Sequence, residues 1–241
     1  MAGASIIRSR HIPRPIPSGP TDNIYLAPTT SIGVTSEIPS PASPVGGKAY
    51  ELNGTSSYLS VPADNSWNFG TGDFTIEWFQ YQTDTNAFPR IFAIGAYPST
   101  VIGCSIEDGL FYAWFSGGDS FGDLEMYKNE WIHFAIVRQA GILRVFRNGL
   151  QIDSNKENTT NISNPSNYPL YFGVENGGAD PNTYFGGYLT NIRIVKGLAV
   201  YTGPFNIPTS PLTLTANANP YGGLNTQAIP DGYTKLLFVP T

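Results

Sequence analysis

The sequence predicts an all-β fold, a sandwich or barrel of short strands behind an extended proline-rich arm. Three observations carry this. Apolar alternation recurs in short runs, each bounded by Gly, Pro, Asn or Asp. No stretch sustains helical periodicity. The chain holds 26 Gly and 20 Pro in 241 residues, a composition that suits tight loops and argues against long helices. That length is ordinary for one all-β domain. With 41% hydrophobic, 13% aromatic and 13% charged residues, a good core is expected under a surface of Ser, Thr, Asn and Gly.

The arm comes first, over residues 1–47. Eight prolines lie between Pro13 and Pro44 among few large apolar residues. Such a segment builds no core of its own and is expected to be extended and ordered by something else. Arg8, Arg10 and Arg14 precede its first carboxylate, Asp22. They read as contacts of an arm lying along a partner's surface. Three cations without interleaved aromatics are no nucleic-acid signature.

From Lys48 onward the domain, 48–241, reads strand by strand. "AYELNG" and "SYLSVP" flank an Asn53-Gly54 turn. "DFTIEWFQYQ" puts Phe74, Ile76 and Trp78 on one face, and Thr75, Glu77, Phe79 and Tyr81 on the other. Aromatics on both sides suit a strand with a core face and a partly covered outer face. "RIFAIGA", "VIGCSIE", "LFYAWFS", "WIHFAIVR" and "ILRVFRNG" follow. Ala140-Gly141 joins the last two, and Asn148-Gly149 is the strongest hairpin signal, since a type I′ turn needs positive φ at both central residues. "PLYFGVE", "GYLTNIRIV" and "TKLLFVP" close the series.

Composition also excludes. A net charge of −5 gives no bulk attraction to nucleic acid or anionic membrane. The single cysteine, Cys104, permits no internal disulfide and reads as a small buried hydrophobe. No apolar run reaches spanning length, so no membrane insertion is expected. The N-terminus lacks the apolar stretch of a secretory signal.

Four blocks in order, "YELNGTSSYLSVP", "WNFGTGDFTIEWFQY", "WIHFAIVRQAGILRVFRNGLQI" and "YFGGYLTNIRIVKGLAVYTGPFNIPTSPL", resemble the laminin G-like, concanavalin A-like jelly-roll domains. The resemblance spans about 48–215 and implies a two-sheet antiparallel sandwich, with a closing strand near 234–239 as partner of the first. Its last block is most similar to the variant found in structural proteins of bacteriophages and other viruses and in large secreted adhesins. Within it, Arg193 and Lys196 are expected at the margin of a strand packed through Ile192 and Ile194.

The resemblance also directs the search for sites. Related β-glucanases carry Glu-x-Asp-x-x-Glu on one strand face. Glu77, Glu107 and Glu125 are each followed by other residues, and His11 and His133 are poor material for a triad. No enzyme is expected. Many relatives hold calcium through carboxylates at a loop rim, and an acidic pair is common where this chain has Thr190-Asn191. No cofactor is therefore expected; Glu175 and Asp180, in a polar Gly-rich loop, are the ligands a Ca²⁺ would find. A lectin-like site needs aromatic platforms with amide or carboxylate groups, and Tyr97, Asp119, Phe121, Asn176, Asp180 and Tyr184 are its candidates. These readings converge on a virion structural protein, a capsid decoration, fibre or tail component. Its arm binds other virion proteins, and its domain, as a homo-oligomer at the virion surface, cements neighbours or binds host glycans. A free lectin module is the alternative, and a glycoside hydrolase the third reading.

Overall fold

The computed structural model describes residues 24–39, 41–83, 86–96, 99–107, 110–115, 128–164 and 167–241. Alternating apolar runs form β1 (Thr30–Ile32), β2 (Thr35–Glu37), β3 (Ala49–Asn53), β4 (Tyr58–Val61), β5 (Phe74–Gln82), β6 (Arg90–Ile94) and β7 (Ile102–Glu107). They continue as β8 (Leu110–Phe115), β9 (Trp131–Gln139), β10 (Ile142–Arg147), β11 (Leu150–Glu157), β12 (Leu170–Phe172), β13 (Gly186–Lys196) and β14 (Thr234–Phe238). One sheet runs β1-β4-β12-β6-β7-β8; the other runs β11-β10-β9-β5-β13-β3-β2, with β14 also on β13. Neighbouring strands in both sheets pair antiparallel. The fold is the predicted two-sheet antiparallel jelly-roll sandwich.

The core lies between the sheets. Phe74, Ile76 and Trp78 of β5 meet Phe92, Phe111 and Phe115 of the other sheet there, all at most 1% exposed. The Trp78 and Phe134 rings stack at 5.5 Å, and Phe111 stacks on Phe134 at 4.9 Å. Burial of this size is the main source of stability.

Several turns follow their chemistry. Ala140 and Gly141 between β9 and β10, and Asn148 and Gly149 between β10 and β11, all have positive φ, the backbone of a type I′ hairpin. Asn53-Gly54 is different. It joins β3 of one sheet to β4 of the other. The Asn53 Oδ1 accepts hydrogen bonds from the N–H groups of Thr55, Ser56 and Ser57, so the turn is a corner between layers. The closing strand also differs from expectation. β14 pairs with Ile192–Val195 of β13, and β3 pairs with Gly186–Leu189 of the same strand. The two therefore share one edge of the long strand end to end instead of pairing with each other.

Residues 24–47, counted with the arm, are laid on the sandwich. β1 pairs with β4 and β2 with β3. Tyr25 bridges Leu236, and the Pro41 carbonyl accepts the Trp131 indole N–H. Arg8, Arg10 and Arg14 lie outside the described residues.

The outer face of the larger sheet is covered by the chain between β13 and β14. Val200, Tyr201, Phe205 and Ile229 pack on Ala135, Val137, Phe146 and Val195 as a second apolar cluster. This strap explains why the outward Thr75 and Glu77 of β5 are buried, while Tyr81 at its far end is covered by Trp131 and Tyr188.

Candidate functional site

Two groups of polar side chains stand out, one sealed and one open. The sealed group sits beneath the strap. Alternation along β5 sends Glu77 to the outer face, and strand register brings Arg193 of β13 opposite it. Arg193 Nε and Nη2 both donate to Glu77 Oε1, at 2.8 and 2.6 Å. Tyr201 Oη donates to Oε2 at 2.7 Å, and His133 Nε2 lies 3.2 Å from the same oxygen. Burial alone would push the Glu77 carboxyl up; Arg193, with His133 and Tyr201, outweighs it and lowers the value to about 2. Glu77 and His133 are fully buried, and Arg193 is 3% exposed. This corrects the placement of Arg193 at the strand margin. The strap turns that outer face into an interior, and the cation is tolerated because its carboxylate is there too. Lys196 does reach the rim, where Nζ donates to the Asn65 carbonyl.

Thr190-Asn191, at the expected acidic pair, is likewise structural. Two residues of β13 face one of β5 here, a bulge that Asn191 enables with φ 49°. Asn191 Oδ1 accepts from Leu212 N–H, and Thr190 Oγ1 donates to Lys48 O.

The open group lines a cleft of about 590 Å³ on the smaller sheet. Register sets Tyr171 beside Ala93, Ala93 beside Gly103 and Gly103 beside Trp114. Small residues therefore separate two rings. Arg90 lies over the Trp114 ring at 4.7 Å. Its Nε donates to Glu175 at 2.6 Å and its Nη1 to Glu107 at 3.0 Å. The loop 175–183 forms the facing wall with Asn176, Ala179, Asp180 and Thr183, and Phe88 stands at the rim, 41% exposed. Asp180 caps the turn Pro181–Thr183 by accepting from Asn182 N–H at 2.9 Å. Rim and wall are tied together, since Phe88 N–H donates to Asn182 O. A cleft with aromatic surface, amide and carboxylate groups suits a polyhydroxylated ligand.

Of the predicted residues, Glu175, Asn176 and Asp180 come together in this cleft. Tyr184 is adjacent in sequence, but its hydroxyl packs on Gly178. Tyr97, Asp119 and Phe121 lie outside the described residues. For a metal, Glu175 is engaged by Arg90 and Asp180 by its own turn; among the described residues no cluster of three His, Cys, Asp or Glu is placed to hold an ion. Arg90, Glu107 and Trp114 were missed. Alternation in "LFYAWF" marks Tyr112 and Trp114 as sharing a face, but only the register across β6, β7 and β8 delivers Trp114 to Arg90.

Comparison with known proteins agrees with this architecture. A laminin G model of the concanavalin A-like lectin/glucanases superfamily matches residues 53–199. No curated protein matches the chain in sequence. Among solved structures, domain 4 of an extracellular arabinanase from Geobacillus stearothermophilus, in complex with arabinotriose, is similar with a TM-score of 0.51 and 20% identity. That match covers 69% of this chain and 76% of that one. A mutant Trypanosoma rangeli sialidase displaying trans-sialidase activity has a TM-score of 0.53 at 12% identity, covering 73% of this chain and 30% of that one. Domains LG4-5 of the mouse laminin alpha1 chain have a TM-score of 0.47 at 15% identity, covering 67% and 44%. At these identities the likeness to the arabinanase domain and the sialidase is one of fold.

Proposed function

The chain belongs to the concanavalin A-like lectin/glucanases superfamily, and from that membership we propose that it binds glycans without cleaving them, at the cleft on its smaller sheet. The observation that carries this is the pairing of the exposed Phe88 ring, beside the Arg90-capped Trp114, with the polar wall of Asn176 and Asp180. A ring lies against the apolar face of a sugar while the wall meets its hydroxyls. Support for a binder is that Glu107 and Glu175 are both ion-paired to the Arg90 guanidinium, whereas hydrolysis needs an acid and a second carboxylate available to flank the scissile bond.

The same reading takes the domain as a virion structural component, displayed at the particle surface as a homo-oligomer and anchored through its N-terminal segment to other virion proteins. Its support is the resemblance of the "RIVKGLAVYTGPF" and "PTSPL" ending to a variant of virus structural proteins and large secreted adhesins, together with the proline-rich, cationic composition of residues 1–23. No helix of the described residues is long and apolar enough to cross a membrane.

A glycan array probed with the full chain tests binding. At least one glycan class should be retained, and Phe88→Ala should weaken it about tenfold, the loss of one aromatic platform. An array without any retained glycan overturns the proposal. For anchoring, the truncation should stop at residue 23, because removing 1–47 also strips β1, β2 and the Tyr25 bridge. Undiminished incorporation of 24–241 into particles would sink the anchoring role.

A further inference from the structure

The charges facing the cleft are unbalanced. Among its described lining residues stand three carboxylates, Glu107, Glu175 and Asp180, and a single cation, Arg90. Arg90 is already engaged on two nitrogens, by Glu175 at 2.6 Å and by Glu107 at 3.0 Å, and its guanidinium rests on Trp114. It is buried to 8% exposure, and its planar fork is turned to carboxylates of its own chain.

An acidic sugar, a sialic acid, a uronate or a sulfated residue, is best held by a cationic fork on its anionic group. Here Arg90 is the one cation among the described lining residues, and an acid drawn to it would sit against Glu107 and Glu175, which already flank it. We infer that the cleft selects glycans whose contacted residue carries no acid, and that it favours amino sugars bearing a free ammonium group. This rests on the reading of the cleft as a glycan site. Discrimination by repulsion is the general way a binding surface rejects a close analogue. Glu107, a quarter exposed at its side chain, and Asp180, exposed on the facing wall, are the specificity-determining residues. At the separations of such a cleft, an unfavourable charge contact is worth on the order of tenfold in affinity.

The test is an array of matched pairs read with the full chain: lactose against 3′-sialyllactose, N-acetylated chitotetraose against its deacetylated form, and neutral galactans against oligogalacturonates. The expected result is a bound set free of acidic members, with the deacetylated partner stronger than the acetylated one at low salt and the gap closing at high salt. In a Glu107→Gln, Asp180→Asn variant, the ratio of acidic to neutral binding should rise about tenfold. Both replacements keep hydrogen-bonding side chains, and Asn is itself a good cap. Acidic glycans bound as well as or better than their neutral partners would overturn this inference and leave glycan binding intact. An array with nothing retained would overturn both.

Discussion

Glu77 is the residue on which the packing of the strap turns. Its two carboxylate oxygens meet Arg193, Tyr201 and His133 in a space closed to water. Glu77→Gln leaves the Arg193 guanidinium buried without its counter-charge and should cost about 3 kcal/mol, measured as a lower midpoint in urea unfolding. The same group sets a pH response. Its value in the fold is about 2, below the ordinary 4.5. A depressed carboxylate contributes stability that is fully present above its unfolded value and is lost as pH falls through its folded value. Stability should therefore decline between about pH 4.5 and pH 2 by roughly 3 kcal/mol from this residue, and the Gln variant should show a flatter profile over that window. An equal acid slope in both proteins would remove Glu77 as the source. Little of this cluster was readable in the chain. Alternation put Glu77 on an outer face correctly, but nothing local announces that a strap 120 residues later will cover it, and so Arg193 looked marginal.

At the scale of elements, hairpins and strands were legible where local chemistry decides them. The Asn148-Gly149 turn is one, and its glycine has a second duty. A Cβ on Gly149 would run into the Phe205 carbonyl oxygen of the strap, and its φ is 79°. Gly149→Ala should lose at least about 2 kcal/mol and loosen the strap first, seen as faster amide exchange at Phe205 N–H, which donates to Gly149 O. Ala140 offers the opposite change. It holds φ 48° in the equivalent turn, a strained value for a residue with a Cβ, and Ala140→Gly should raise thermal stability by about 1 kcal/mol. β1 and β2 were hidden by the prolines around them, and three-residue edge strands carry too few positions for a period to register. The bulge at Thr190-Asn191 was hidden for another reason: it depends on β5 and on Leu212, not on its own sequence. The cleft divides the same way. Asn176 and Asp180 were visible as a polar loop, whereas Arg90 and Trp114 meet only through pairing of three strands.

For the whole molecule the two outer faces have unlike fates. The larger sheet is roofed by its own chain, with apolar residues and an internal ion pair beneath. The smaller sheet keeps a cleft whose lining side chains are not needed to fill the core. Scanning substitutions should separate the two. Replacements at Tyr201, Phe205 and Ile229 should reduce the yield of folded protein, while replacements at Phe88, Asn176 and Asp180 should leave it near wild type and alter what is bound. A folding screen followed by a binding screen on one library reads both effects, and equal sensitivity of the two faces would contradict the division.

The strap therefore partitions the molecule for engineering: side chains under the roof are tied to folding, while the few around the cleft can be varied together in one library without disturbing the fold.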